Sequence, residues 1–258
     1  MSPVTAAQVS ELRARTGVPM LQCKKALDEA QGNEEKAIEI LKKSGEAQAV
    51  KKALRDQSEG AVFLAQEGQE AVLVILKCET DFVARNEEFV SLGQSFADRA
   101  LKKGADELKS YAASLLPSLV QKLGENISLG DVYGISAPVL GTYVHTNRKI
   151  GVVIGLDRGT TDLAKDAAMH AAAMNPLYKT PEEVLSSAVE HEKEIWREQL
   201  KKEGKPEQIW DKIMMGKERK FREENALTTQ PFVKDPSKTV GAHLAGATVL
   251  QYVRAALQ

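Results

Sequence analysis

An α+β fold is the reading that this sequence supports. Apolar spacing is helical over the first 45 residues, then switches to strand, helix and strand again, without a regular βαβ repeat. A stretch from Glu182 to Glu224 carries 12 acidic and 10 basic residues in 43, far above the chain's 28% charged average, which suits a protruding helical hairpin. Aromatics are only 5% of the 258 residues, so aliphatic side chains must fill the core.

Residues 1–45 predict three short helices. Thr5 and Gln8 form a capping box for the first, with Val9 and Leu12 on its apolar face and Gly17 as its left-handed stop. Pro19 suits the first turn of the second, whose Met20, Cys23 or Lys24, and Leu27 recur at helical spacing up to Gly32. Asn33 caps the third, with the stripe Ala37, Ile38 and Leu41, and Gly45 closes it. So small a core is marginal alone, which makes the bundle a recognition module or a decoration packed on the body. Residues 46–57 are polar and Ala-rich and predict a helical linker.

Residues 58–138 predict one core subdomain. Ala61–Gln66 and Glu70–Cys78 are strands around a Glu67-Gly68-Gln69 turn. Val72, Val74 and Leu76 alternate with Leu73 and Ile75, so both faces of the second strand are apolar and buried. A helix follows, from Thr80 or Asn86 to Lys103, with Phe89, Leu92, Phe96 and Ala100 on one face. Leu108–Gly124 is a second helix, interrupted or kinked at Pro117, and Ile127–Tyr133 is a strand.

Residues 139–258 predict a second subdomain. Val139–His145 and Lys149–Leu156 are strands joined at Asn147-Arg148, and Thr160 or Thr161 caps a helix that stops at Asn175-Pro176. Thr180-Pro181-x-Glu183 combines N-cap, first-turn proline and capping-box glutamate at the start of a hairpin inserted over 181–225. Val184, Ala188, Ile195 and Leu200 form one apolar stripe, Ile209, Ile213, Met214 and Phe221 the other, with Gly204-Lys205-Pro206 between them. A Pro-rich loop, a short helix over Thr239–Leu244 and a strand over Ala247–Ala255 finish the chain.

The composition narrows the function. Lys plus Arg is 35 and Asp plus Glu is 36, a net charge of -1, which weighs against a protein whose main task is holding a polyanion. No apolar run reaches the ~18 residues of a membrane span. Met1–Gln8 lacks the basic and apolar regions of a signal peptide, and two cysteines make neither a disulfide framework nor a zinc site, so the expected setting is the reduced cytoplasm. No phosphate-cradling glycine loop, nucleophile elbow or metal-spaced histidine pair occurs. The expectation is therefore a binding or regulatory protein with no cofactor, no bound metal and no covalent catalysis.

Thr80-Asp81-Phe82-Val83-Ala84-Arg85-Asn86 directly follows a buried strand and resembles the signature of the elongation factor Ts family, the guanine-nucleotide exchange factors for elongation factor Tu. Leu12-Arg13-x-Arg15-Thr16-Gly17 with Cys23-Lys24-Lys25-Ala26-Leu27 is similar to that family's N-terminal motif. Gly124-Glu125-Asn126-Ile127, Ile150-Gly151-Val152, Ala168-Met169-His170-x-Ala172-Ala173 and Gln230-Pro231-Phe232-Val233-x-x-Pro236-Ser237-Lys238-Thr239-Val240 also match, in the family's order.

The resemblance implies a ubiquitin-associated-like N-terminal bundle, two α+β core subdomains and a coiled-coil hairpin. It implies that Phe82 is an apolar wedge that shifts the partner near its Mg²⁺ site, and that Asp81, flanked by Thr80 and Val83, holds the approach. Read without it, Phe82 is a staple on its own helix start and Asp81 an N-cap. By the same resemblance, Met169 and His170 disturb the partner's phosphate side, and Ile150 and Gly151 add contacts. Read alone, His170 is a packed core histidine and the Ile150-Gly151 pair a buried strand edge. Arg13, Thr16, Gly17 and Val18 would supply docking surface on the bundle, where helix termination and surface charge also explain them. The implied partner is elongation factor Tu, with no direct nucleotide binding by this chain. Some family members pair into dimers, which leaves a homodimer open, and some carry a further C-terminal helix beyond the position matching Gln258. The competing class is an RNA- or ribosome-binding module resting on Lys42, Lys43, Lys51, Lys52 and the charged hairpin. Base stacking needs aromatic platforms, of which the chain has few.

Overall fold

The computed structural model describes residues 4–257; the parts of the expected segments 1–45 and 139–258 that fall on residues 1–3 and 258 lie outside it. Helices α1 (Ala6–Thr16), α2 (Met20–Glu29) and α3 (Glu34–Lys52) enclose a core of Leu12, Cys23, Leu27, Ala37 and Leu41. The Thr5–Gln8 capping box forms, and Gly17 closes α1 at φ 69°. Gly45 does not end α3. It is buried, and a Cβ there would come within 3.1 Å of the Pro117 carbonyl. The glycine is a close-approach point, and the expected linker is largely the last two turns of α3. Those turns seat the bundle on the body: Lys52 Nζ donates to the Gly124 carbonyl at 2.6 Å, and Gln121 Nε2 donates to Gln22 Oε1 at 3.0 Å.

Two antiparallel three-stranded sheets lie at the centre. The first has the order β1 (Glu59–Glu67), β2 (Glu70–Cys78), β3 (Ser128–Ser136). Between β2 and β3 run α4 (Asp81–Ala84), α5 (Glu87–Lys103) and α6 (Ala105–Leu123), the last continuing through Pro117. The second sheet has the order β4 (Val139–Val144), β5 (Ile150–Leu156), β8 (Val249–Ala256). The two-sided apolar pattern of β2 has its cause in this arrangement. Val72, Val74 and Leu76 pack on Phe89, Phe96 and Leu108 of α5 and α6. Ala71, Leu73 and Ile75 pack on Leu140, Val153 and Ala255 of the second sheet. The far face of the second sheet, Val152, Ile154 and Leu156, is covered by α7 (Thr161–Met174) through its alanines. The order is helices, sheet, sheet, helix.

The charged segment folds as α8 (Ser186–Lys202) and α9 (Trp210–Asn225). Thr180 does not cap α8. Pro181–Glu183 forms only a single 3₁₀ turn, because Glu183 accepts from Lys179 N rather than closing a capping box. The buried face of α8 is Val189, Trp196 and Leu200: Leu200, like Val184 ahead of the helix, is buried as expected, while Val189 and Trp196 take the places expected of Ala188 and Ile195, and Ile195 and Ile209 are exposed. Trp196, Leu200 and Met214, with Trp210, Ile213 and Phe221 against them, form a cluster separate from the other cores. Trp196 and Phe221 meet edge to face at 6.0 Å. A small hairpin, β6 (Pro231–Phe232) with β7 (Asp235–Thr239), lies in the expected Pro-rich loop, and α10 (Val240–His243) follows it.

Candidate functional site

Phe82 is the observation that organises the surface. It is 83% exposed, next to the buried Val83 and Ala84 on the four-residue α4. An isolated Phe at that exposure has no packing reason to be aromatic. Its own backbone is held well. The Thr80 hydroxyl accepts from Val83 N at 3.4 Å as the N-cap, and the Cys78 thiol donates to the Thr80 carbonyl at 3.2 Å. Burial pushes the Cys78 thiol up to about 12, so it stays a protonated donor. The N-cap is therefore Thr80 and not Asp81. Asp81 instead pairs with Arg85 at 2.9 Å across one turn, an exposed pair worth about 0–1 kcal/mol.

A groove of about 740 Å³ adjoins this turn, lined by Asp81, Ala84, Arg85 and Val90 on one side and by Glu59 and Thr146–Lys149 on the other. The β4–β5 turn thus lies beside α4. It is tied to the first sheet, since Val62 N donates to the Arg148 carbonyl at 2.7 Å and Lys149 pairs with Glu59.

The remaining candidates separate into surface and core. Ile150 is half-buried and packs in the cluster under α7. Gly151 is buried between the sheets; a Cβ there would come within 2.6 Å of Val62 Cγ1 and 2.9 Å of Leu73 Cδ2. It is a close-packed glycine between the two sheets. Met169 is half-buried on α7. His170 is fully buried. Its Nε2 bonds Gln230 Oε1 at 2.9 Å and its Nδ1 accepts from Val233 N at 3.1 Å. That pattern fixes the neutral tautomer with the proton on Nε2, and burial lowers the pKa against the pull of Gln230. The histidine secures the β6–β7 segment from inside the fold.

On the bundle, Arg13 and Gly17 are exposed, and Thr16 is half-buried with its hydroxyl donating to the Leu12 carbonyl at 2.7 Å. Val18 is 3% exposed and its carbonyl accepts from the Cys23 thiol, so its side chain packs in the bundle core. Thr80–Val83 and Met169–His170 lie on opposite outer layers of the paired sheets, with the β4–β5 turn and Ile150 between them.

Sequence reasoning missed two features. Glu125, noticed only as part of a motif, binds the backbone ahead of Phe82. Asp166 of α7 joins Lys234 at 2.6 Å and His243 at 3.1 Å. Burial raises the Asp166 pKa, but the bonds and charges of those two partners outweigh it and hold the carboxyl below its usual range. A Glu directly after a helix-ending glycine was the available signal for the first. The second depends on the unforeseen β6–β7 hairpin. Among the described residues, no group of three or more His, Cys, Asp or Glu side chains is arranged to hold a metal ion. Among the described residues, no helix is long and apolar enough to cross a membrane.

Comparison with known proteins gives the chain a family. A family model described as Elongation factor TS matches residues 79–258. The chain is 46% identical to elongation factor Ts of Aeromonas salmonicida, over 98% of this chain and 90% of that protein. It is 43% identical to elongation factor Ts of Idiomarina loihiensis, over 97% and 90% respectively. It is also 43% identical to elongation factor Ts of Vibrio parahaemolyticus, over 98% and 91%. With a family model covering well over half its length and relatives of this identity nearly end to end, the chain belongs to the elongation factor Ts family.

Proposed function

We propose that the chain expels GDP from elongation factor Tu by inserting Phe82, presented on the braced Thr80–Ala84 turn. Family membership makes the chain a translation elongation factor that acts as a guanine-nucleotide exchange factor for elongation factor Tu. The observation that carries the residue-level reading is the pairing of a largely exposed aromatic with a fixed backbone. A side chain that must displace part of a partner should be accessible and should not fold away when it meets resistance.

The physics is negative coupling. Factor and nucleotide each weaken the other's binding to the partner by the same factor. In this reading the nucleotide and its Mg²⁺ both belong to the partner. Mg²⁺ demands near-ideal octahedral geometry, so a small displacement of its surroundings costs affinity steeply. Phe82 supplies the displacement. Asp81 and Arg85 flank it with opposite charges, and the adjoining groove with Arg148 and Lys149 receives the partner's rim.

The α1–α3 bundle is the ubiquitin-associated-like docking module, using Arg13 and the exposed end of α1. Ile150 and Met169 extend the contact along the second sheet. His170 acts from inside by holding Gln230 and Val233 in place. The α8–α9 hairpin is the coiled coil. The chain works one-to-one with its partner or, through a homodimer, two-to-two, and makes no covalent bond.

The test is release of a fluorescent GDP analogue from elongation factor Tu at fixed Mg²⁺. Substoichiometric wild-type protein should accelerate release many-fold with turnover. A folded protein that leaves the rate unchanged with its cognate partner overturns the reading, and RNA binding becomes the next assay.

A further inference from the structure

We infer that Glu125 is a positioning residue for nucleotide exchange, clamping the turn that presents Phe82. The inference rests on the reading that Phe82 is the displacing side chain.

Glu125 stands just past the end of α6, following Gly124 in the left-handed conformation. Its carboxylate reaches back 45 residues to the segment between β2 and α4. One oxygen accepts from Glu79 N at 3.1 Å and from Thr80 N at 3.0 Å. The other accepts from the Thr80 hydroxyl at 2.5 Å. Three donors converge on one charged acceptor, and charge-assisted bonds are roughly twice as strong as neutral ones. The brace is reciprocal, because Asn126 N donates to the Glu79 carboxylate at 2.6 Å.

The Thr80 bond has a consequence for Phe82. A hydroxyl has one proton and two lone pairs. With its proton committed to Glu125, the Thr80 oxygen turns a lone pair to Val83 N and caps α4. A four-residue helix cannot hold itself, since helix nucleation is unfavourable. Phe82, mostly in solvent, adds no packing of its own. Val83 and Ala84 anchor α4 on the first core, and its N-terminal end, from which Phe82 projects, is held from outside by Glu125 through Thr80. Glu125 need not touch the partner to govern how well the aromatic ring strikes it.

The experiment is a double-mutant cycle on the full chain, using Glu125→Ala, Phe82→Ala and the pair, read by stimulated GDP release from elongation factor Tu. Glu125→Ala should lower the limiting rate at saturating factor about tenfold while moving the half-saturating concentration less than about threefold. In the Phe82→Ala background it should change nothing further, because the two residues act as one unit. The Phe82 amide order parameter in the free protein should fall from about 0.85 to below about 0.6. Glu125→Gln should restore most of the rate, since its carbonyl still accepts both backbone N–H groups and its amide donates to the Thr80 oxygen. An unchanged limiting rate, or an equal loss with and without Phe82, overturns the inference. If Phe82→Ala alone exchanges like wild type, the wedge reading fails, and the order parameter still decides whether Glu125 clamps the turn. Should Glu125→Ala not fold, Thr80→Val removes the hydroxyl link and runs the same cycle.

Discussion

The fully buried His170 accepts the backbone N–H of Val233 at its Nδ1, at 3.1 Å, with the Phe232 ring 6.1 Å away. Only the neutral ring can accept there. The folded pKa lies below the ordinary imidazole value of about 6.5, so the unfolded chain binds the proton more readily. His170 thus contributes stability that is whole above about pH 6.5 and is lost as pH falls toward the lowered folded value. Urea unfolding at pH 7.5 and 5.5 should show a steeper loss for wild type than for His170→Asn, which keeps an acceptor but cannot titrate. Equal losses contradict the buried, neutral assignment.

Gly151 separates a packing role from a partner contact. Gly151→Ala forces a methyl against Val62 and Leu73, and overpacking of this kind costs about 1–3 kcal/mol. Chemical denaturation should register that loss. A variant of wild-type stability with slow exchange returns the glycine to the interface.

The hairpin should be separable from the body. Its Trp196–Leu200–Met214 cluster is its own, while its base is tied down by Arg222 to the Pro181 and Val184 carbonyls and by Gln230 to the Glu224 carbonyl. Replacing residues 189–217 with a short flexible linker should leave a folded protein that still exchanges nucleotide. Global unfolding on that deletion, seen by circular dichroism, shows that the hairpin is structural core instead.

Cys78 offers a chemical clock for the same layer. Its thiol is buried and its pKa pushed up to about 12, so almost no thiolate exists at pH 8. Ellman's reagent should leave Cys78 unmodified in the native protein and react on addition of denaturant. Rapid native reaction at Cys78 means that the first sheet opens readily at β2.

Most element types were legible because their cause is local. The Thr5–Gln8 box, the Asn33 cap and the alternation of β2 are written in neighbouring residues. Gly45 was misread because a glycine that stops a helix and one that admits another helix look alike until α6 is in place. Thr180-Pro181-x-Glu183 has every capping residue, yet Lys179 competes for the glutamate. At the site, Phe82 was legible through its motif, and the structure adds that it is exposed. Gly151 and His170 had motif support too, but their burial depends on tertiary partners such as Leu73 and Val233, which no local pattern reveals. The Glu125 brace links residues 45 apart and falls outside any local reading.

The central claim is that Phe82 does chemical work on a partner and none for its own fold. Phe82→Ala removes a side chain that is 83% exposed, so its unfolding free energy should stay within about 0.5 kcal/mol of wild type. Release of a fluorescent GDP analogue from elongation factor Tu, stimulated by Phe82→Ala and by wild type at the same fixed Mg²⁺, is the direct measurement. The account predicts at least tenfold slower release, a loss of about 1.4 kcal/mol or more in the barrier lowering. Equal release rates from an equally stable variant contradict it.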